Sequence, residues 1–196
     1  MNLRDKLHIS GTITIDTYKA GMVEAITPYL EHRKLLRQFR RSTTEIDWTI
    51  RDIKAAYFIA TAVKCPNLIM DSSGYGLDII IQRLVGINTY SLNINYAELG
   101  TGSTAPTLLD TGLTAPTNRA AVGFQQDYGQ TDAILQFFFA DSQLANTTYP
   151  ECGTFVDGTS TIGTGQIFNH ALLSPTFTKT AGTDATLQAD FTLANA

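Results

Sequence analysis

Hydrophobic and polar residues alternate at both ends of the chain. Residues 8–18 place four apolar or small side chains on one side and four polar ones on the other, and residues 185–193 alternate in the same way. A period of two predicts half-buried β-strands. Residues 133–140, AILQFFFA, are apolar almost throughout, which predicts a strand buried on both faces. Further strands are predicted at residues 92–96, 119–125, 166–173 and 176–180.

Helical periodicity is found in the first half of the chain. Thr27 and Pro28 are typical of an N-cap followed by proline at the first helical position, so a helix is predicted over residues 29–41. Residues 77–85 carry apolar side chains at helical spacing, and Gly86 stands where a helix commonly ends. This second segment is the clearest helix in the sequence.

Residues 42–63 fit two patterns. Ser42 and Glu45 form a capping-box pair, and the apolar side chains after them follow helical spacing. The first apolar side chains of this stretch also alternate with polar ones, as they would in a strand. We favour a helix, with the apolar run AAYFIATAV as its buried end or as a short strand.

The order of these elements predicts the fold class. Short strands separated by Gly, Pro and Thr turns, after a mainly helical portion, indicate a mainly β (α+β) fold, an antiparallel β-sandwich with helical elements on its N-terminal side. The length of 196 residues suits a single domain over residues 1–196. No window reaches 18 consecutive apolar residues, so we expect neither a signal peptide nor a membrane span.

Charge is distributed unevenly along the chain. Residues 1–83 hold 12 of the 14 Lys and Arg residues and 9 of the 18 acidic residues, whereas residues 84–196 hold two cations and nine acids. Two electrostatically different ends would suit head-to-tail contact between neighbouring molecules. A single helix that happens to be basic explains the asymmetry equally well.

Five cations lie on the helix predicted over residues 29–41, namely Arg33, Lys34, Arg37, Arg40 and Arg41. Such a run can bind phosphate or an acidic protein surface, or it can be a solvated helix face. No recognised nucleic-acid module accompanies it, so we expect no specific nucleic-acid partner.

The most unusual stretch is residues 97–119, AELGTGSTAPTLLDTGLTAPTNR. It contains TGSTAPT and, ten residues later, TGLTAPT, which differ only at Ser103 and Leu113. The glycine and proline of each unit predict a shaped loop without helix, so we expect valine at Gly102 or Gly112 to harm folding or assembly. The loop is either a plain connector between strands or a binding or assembly loop.

Sequence motifs of catalysis and cofactor binding are missing. There is no nucleophile elbow, zinc-protease helix, calcium loop or dinucleotide fingerprint. We expect His8 and His170 to be surface or hydrogen-bonded strand residues, and we predict no enzyme activity and no catalytic, metal or cofactor-binding residue. Cys65 and Cys152 are interpreted as buried free thiols, with a disulfide as the alternative.

The chain resembles a family of tailed-bacteriophage virion proteins, found among tail, baseplate and fibre-attachment components. The likeness covers residues 67–196 and is clearest in a strand that runs into a Gly-Thr-Gly-x-Thr-Ala-Pro loop, matched here by residues 100–106. Residues 110–113 and Arg119 fit the same pattern.

Two further segments carry the resemblance. ECGTF at residues 151–155 resembles a Glu-x-Gly-Leu-Phe motif, and GQIFNHA at residues 165–171 resembles a strand in which an arginine is common where His170 stands. Set beside this family, residues 67–196 form the predicted β-sandwich region and residues 22–65 form a helical insertion, which we expect to be adapted to a specific neighbour.

The resemblance implies a non-enzymatic structural component of a bacteriophage virion, most often a tail, baseplate or fibre-attachment protein, assembled in the bacterial host cytoplasm. Its expected partners are copies of itself, in a symmetric ring or trimer, and other virion proteins, with no membrane partner and no cofactor. The alternatives are a capsid decoration or head-fibre protein, a receptor- or glycan-binding module at the particle tip, and a glycan hydrolase. The interface candidates are Arg33, Lys34, Arg37, Arg40, Arg41, Gly102, Thr104, Pro106, Gly112, Pro116 and Arg119.

Overall fold

The computed structural model describes residues 7–129 and 131–195. Its helices are α1 (Met22–Gln38), α2 (Thr44–Tyr57) and α3 (Gly76–Leu84), and a short 3-10 turn spans Asp141–Gln143. Its strands are β1 (Leu7–Lys19), β2 (Phe58–Pro66), β3 (Leu68–Ile69), β4 (Ile94–Gly100), β5 (Pro116–Tyr128), β6 (Asp132–Phe139), β7 (Thr148–Val156), β8 (Gln166–Thr178) and β9 (Thr183–Asn195).

These nine strands form one antiparallel sheet in the order β2-β1-β9-β6-β5-β4-β7-β8-β3. The sheet curls until it is nearly closed, because β2 at one edge packs against β8 next to the other edge. Inward side chains from both halves meet in a common core, with Ile13, Leu99, Phe137, Cys152 and Leu187 among its members. The predicted mainly β fold is confirmed, whereas a two-layer sandwich is not.

Helices α1 and α2 cover part of the outer face of this sheet. Met22, Ile26 and Ile50 pack there against Tyr18 and Phe138 and are almost fully buried. Each such aliphatic side chain contributes roughly 1.5–3 kcal/mol relative to an exposed one. The two helices are therefore fixed to the sheet by a second, smaller apolar cluster.

The predicted start of α1 is wrong. The helix begins at Met22, not after Thr27, and Pro28 lies inside it. Gly21 adopts a φ of +93°, which lets the chain turn directly from β1 into the helix. The Val23 N–H donates to Asp184 Oδ2 at 2.8 Å, so a carboxylate from β9 satisfies one of the free donors of the first turn.

The ambiguous stretch over residues 42–63 divides at residue 57. Its first part is α2, as the helical spacing predicts, but its last part belongs to β2. Of the two alternatives for the apolar run AAYFIATAV, the short strand is confirmed from Phe58 onward, and the helix end is confirmed only as far as Tyr57. Val63 lies opposite Ile15 of β1, and both side chains enter the core, which a continuing helix would prevent.

The other strand predictions agree with the structure, with one change. β6 is buried on both faces as expected, since Phe137 faces the main core and Phe138 faces the helices. The two strands predicted near residues 166–180 are one continuous strand, β8. Helix α3 is confirmed, and Gly86 follows its end with a φ of +83°.

Both cysteines are free and buried, as predicted. Burial raises the pKa of Cys65 and raises that of Cys152 well above the usual thiol range. A thiol reagent reacts with the thiolate, so we expect both residues to react at least about tenfold more slowly than a free cysteine in the native protein and to react fully once it is denatured. Time-resolved labelling with and without urea measures this, and rapid labelling of the native chain would contradict the buried positions.

Candidate functional site

The repeated Thr-rich segment is a 15-residue loop over residues 101–115 that joins β4 to β5. These strands are neighbours in the sheet, and Glu98 of β4 lies directly opposite Arg119 of β5. The Thr101 N–H donates to the Ala115 carbonyl at 2.9 Å and closes the base of the loop. The long loop is therefore the tip of a hairpin, and its shape has to come from contacts beyond the hairpin.

The main contact is the carboxylate of Glu151, which lies on β7 and is 0% exposed. Glu151 Oε1 accepts the Gly102 N–H at 3.0 Å and the Ala115 N–H at 2.7 Å. Glu151 Oε2 accepts the Thr114 N–H at 3.0 Å. A buried carboxylate is stable when such donors replace its hydration, so these bonds fasten both limbs of the loop to β7.

The two repeat units have different roles. The second unit contributes Leu113, whose buried side chain packs with Phe155 and Ile167 on the outer face of the sheet. A methyl group built on Gly153 would lie 3.1 Å from the Leu113 side chain, so glycine at position 153 leaves room for Leu113. Ser103, at the matching place in the first unit, is exposed. The one difference between the repeats is therefore a packing contact.

His170 of β8 connects Glu151 to the tip of the loop. Its Nε2 lies 3.1 Å from Glu151 Oε2, and its Nδ1 lies 2.7 Å from Asp110 Oδ2. Carboxylates only accept hydrogen bonds, so both ring nitrogens donate only when the ring is an imidazolium. With both nitrogens in use, this histidine has no free nitrogen that could exchange a proton with a substrate.

Asp110 also shapes the turn that precedes it. Its carboxylate accepts the Thr107 N–H at 3.0 Å and the Thr107 hydroxyl at 2.7 Å. Burial acts to raise the pKa of Asp110, but the hydrogen bonds from Thr107 and the contact with His170 outweigh burial and lower it. The ionised form of Asp110 is therefore the form that holds the turn.

Arg119, an interface candidate from the sequence, lies inside the protein. Its side chain is 2% exposed, forms an ion pair with the fully buried Glu98, and donates to the Thr164 carbonyl at 2.7 Å. The guanidinium lies between the rings of Tyr96 and Phe155, at 4.5 and 4.9 Å from their centroids. Arg119 therefore holds the loop over residues 157–165 rather than meeting solvent.

The remaining loop candidates are divided between the interior and the surface. Gly102 is buried, whereas Pro106, Gly112 and Pro116 are half-buried and Thr104 is exposed. At the tip, the side chains of Leu108 and Leu109 are 47% and 72% exposed. The loop therefore presents a polar limb and an apolar tip to solvent.

The five basic residues expected on the first helix are not equivalent, and two of them, Arg40 and Arg41, follow the end of α1 at Gln38 rather than lying on it as predicted. Arg33 is buried, pairs with Asp47 of α2 at 2.5 Å and stacks on Phe124 with its guanidinium carbon 3.9 Å from the ring centroid. Arg37 donates to the Gln125 carbonyl at 2.5 Å but stays exposed. The other three, Lys34, Arg40 and Arg41, are exposed as well. Four of the five cations can therefore contact a partner, and Arg33 fastens α1 to α2 and the sheet.

Sequence reasoning missed the anions that organise the loop. Asp110 lies in the loop itself, the pairing of β4 with β7 places Glu151 beneath the loop, and Glu98 pairs with Arg119 and accepts the Gly163 N–H of the loop over residues 157–165. The resemblance could have drawn attention to Asp110 and Glu151, because both lie in segments that carry it, whereas Glu98 lies outside those segments. His170 was expected to be a surface or hydrogen-bonded strand residue, and it is hydrogen-bonded and buried.

Within residues 7–129 and 131–195, no three His, Cys, Asp or Glu side chains are grouped so that they could hold a metal ion. None of the helices in the same part of the chain is long and apolar enough to cross a membrane.

No protein-family model, curated protein or solved structure matches the chain. The resemblance to virion proteins therefore stays a prediction. Function has to be argued from the residues and their geometry.

The glycines of the two repeats give a matched test of the loop shape. A methyl group on Gly102 would lie 2.4 Å from Glu151 Oε1 and 2.7 Å from Thr114 Cβ, whereas one on Gly112 would meet no atom within 4 Å. Glycine is therefore required at position 102 and not at position 112, contrary to the expectation from the repeat. We expect Gly102→Ala to lower the free energy of unfolding by about 1–3 kcal/mol and Gly112→Ala to change it by less than about 0.5 kcal/mol. Urea denaturation measures both, and equal effects would contradict this account.

Glu151→Gln tests the anchor itself. The amide –NH₂ would face backbone N–H donors in a buried position, so we expect a loss of about 3–5 kcal/mol in the free energy of unfolding. The exposed Glu31 of α1 is the control, because Glu31→Gln removes the same charge from a side chain that water already solvates. We also expect thermolysin to cut the loop near Leu108 faster in Glu151→Gln than in Glu31→Gln. Equal stability and equal cleavage would show that Glu151 does not hold the loop.

Proposed function

We propose that the chain is a structural component of a bacteriophage virion, in the tail, the baseplate or a fibre attachment, and that it acts through protein–protein contacts. The observation that carries the proposal is the convergence of the virion-like motifs on one cluster. The Gly-Thr-Gly-x-Thr-Ala-Pro loop, the Glu-Cys-Gly-Thr-Phe strand and the His170 strand meet at the Glu151 carboxylate. The ionisable side chains of this cluster, Glu151 and His170, form hydrogen bonds that maintain the conformation of the loop.

Helix α3 offers a surface for such contacts. Ile79 is buried in the core, but Ile81, Leu84, Val85 and Ile87 are 56%, 74%, 67% and 49% exposed. Single exposed apolar residues are common on soluble proteins, but a group of four within seven residues marks an interaction site. A second copy of the chain or a neighbouring virion protein would cover this group, which we call the α3 surface.

The end of α1 offers a second surface of different chemistry. Leu35 and Phe39 are 52% and 69% exposed, and the exposed cations Lys34, Arg40 and Arg41 surround them in the sequence. An apolar centre with a basic rim fits an acidic protein partner. Copies arranged in a ring would add many such contacts, so each can be weak.

The paired substitution Leu84→Glu/Val85→Glu tests the α3 surface. Both side chains are exposed, so we expect an unchanged circular dichroism spectrum and thermal midpoint, but a loss of self-association and at least about tenfold less chain in purified particles. Leu84→Met/Val85→Ile is the matched control, because it keeps the apolar surface. Sedimentation velocity measures self-association, and immunoblotting of banded particles from an infected host measures incorporation.

Two results would contradict the proposal at different levels. Normal self-association and incorporation of Leu84→Glu/Val85→Glu would exclude the α3 surface as an interface. Absence of the unmodified chain from purified particles would overturn the virion role itself. Arg40→Glu/Arg41→Glu applies the same assay to the end of α1 and leaves the internal contacts of Arg33 and Arg37 in place.

A further inference from the structure

A groove of about 560 Å³ runs between α2 and the outer face of the sheet. One wall is formed by α2 residues that include Trp48, Arg51 and Lys54, and the opposite side is formed by outward residues of β5, β6 and β9. The groove lies apart from the Thr-rich loop, whose contacts are with β7 and β8. Its chemistry is thus independent of the loop anchor.

Two aromatic rings face solvent at this groove. Trp48 and Tyr128 are 52% and 53% exposed, although burial of a large aromatic side chain in the core stabilises a protein. The Arg51 guanidinium lies 3.6 Å from the Trp48 ring centroid and holds that ring in place. Exposed, supported aromatic rings at a groove are platforms on which a flat apolar face of a ligand can stack.

The floor of the groove is a chain of hydrogen bonds between polar side chains. Lys54 Nζ donates to Gln136 Oε1 at 3.1 Å, Gln136 Nε2 donates to Gln188 Oε1 at 2.6 Å, and Gln188 Nε2 donates to Asp190 Oδ1 at 2.9 Å. Lysine can only donate and an ionised aspartate can only accept, so the two ends fix the orientation of both amides. Gln188 Nε2 also donates to Asp190 Oδ2 at 3.1 Å, so Gln136 keeps a free N–H and each amide oxygen keeps a free lone pair for a ligand.

Two cations and one acid are among the residues that line the groove, namely Arg51, Lys54 and Asp47. Asp47 is neutralised by Arg33, and Asp52 lies 3.3 Å from Arg51 at the solvent-exposed rim. Asp190 accepts from Gln188 and is attracted by Lys64 of β2, while burial raises its pKa. The Lys54 ammonium has no acidic partner within ion-pair distance among the described residues.

Lys54 keeps its charge at neutral pH. Burial lowers the pKa of Lys54 to about 8, against an opposing attraction by Asp16. Asp16 is the acceptor of the Tyr18 hydroxyl at 3.4 Å and of the Thr61 hydroxyl at 2.7 Å, so its carboxylate is already in use. An anionic ligand group would meet a partly desolvated cation, where a charge pair is stronger than at an exposed site.

We propose that this groove is a binding site for an acidic saccharide, a function beyond assembly of the particle. A sugar ring stacks on Trp48 and Tyr128, its hydroxyls exchange hydrogen bonds with Gln136 and Gln188, and its carboxylate faces Lys54. A sugar ring has an apolar C–H face, which can stack on the aromatic rings of the groove. Its hydroxyl groups lie at the ring edge, where they can reach the amides on the floor. A lipid would leave the polar floor unpaired, and a nucleic acid would need a longer row of cations.

Trp48 is the only tryptophan in the chain, so intrinsic fluorescence reports directly on the groove. The probes are tetragalacturonate, a hyaluronan tetrasaccharide and sialyllactose, with methyl-esterified tetragalacturonate, the methyl-esterified hyaluronan tetrasaccharide and lactose as their respective neutral counterparts. We expect saturable quenching or a spectral shift with at least one acidic probe and about tenfold weaker binding of its neutral counterpart. Absence of a response to all three acidic probes would overturn the proposal.

Single substitutions test the contribution of each side chain in the groove to binding. We expect Tyr128→Ala to weaken binding about tenfold and Lys54→Met to remove the preference for the acidic probe over the neutral one, with Leu84→Ala on α3 as the control. Affinity should also fall as pH rises through about 8, because Lys54 then loses its proton. Calorimetric titration measures these changes. Unaltered affinity in both variants would overturn the site, and a constant affinity across that pH would exclude Lys54 as the carboxylate partner.

Discussion

The structure of the long loop depends on one buried carboxylate. Moving an ionised carboxyl group out of water costs several kcal/mol unless hydrogen-bond donors replace the water. For Glu151 those donors are three backbone N–H groups of the loop and the ring of His170, at 2.7–3.1 Å. The donors stand at positions 102, 114 and 115, so satisfying one carboxylate requires the two limbs of the loop to meet. A segment without regular structure thereby gains one defined shape.

The same arrangement recurs across the β-rich half and explains its charge. Six of its nine acidic residues accept backbone N–H groups from loops, turns or a helix end, namely Glu98, Asp110, Asp141, Glu151, Asp157 and Asp184. The acidic excess of residues 84–196 is therefore largely used inside the fold. Three of the six, Glu98, Glu151 and Asp184, are buried, so they add little to the surface charge of residues 84–196.

The sequence could predict elements whose cause is local. Alternation identified β1 and β9 because their inward and outward residues meet apolar and polar surroundings along their length. The start of α1 could not be found in this way, because a carboxylate on β9, that of Asp184, supplies the hydrogen-bond acceptor that a local N-cap side chain would otherwise supply. Nor could the end of α2, since residues 58–66 are a strand only through their pairing with β1.

The candidate sites show the same difference between features with a local cause and features that depend on distant residues. The glycines and prolines of the loop predicted its lack of helix, but the difference between Gly102 and Gly112 depends on the position of Glu151, which lies 49 residues after Gly102 in the chain. The groove under α2 was not predicted at all. Its walls come from helix α2 and its floor from three strands, and no short motif joins Lys54 to Gln136 and Gln188.

His170 shows why the base and the tip of the loop differ. The resemblance places an arginine at this position, and a permanent cation would pair with two carboxylates at once. A histidine does so only as the imidazolium, because a neutral ring donates from one nitrogen. Asp110 is 24% exposed in its side chain and Glu151 is 0% exposed, so water can replace the ring at Asp110 and not at Glu151. The base of the loop is thus fixed by hydrogen bonds from its backbone N–H groups to Glu151. The tip, with Leu108 and Leu109, is the part of the loop that can change conformation when a partner binds.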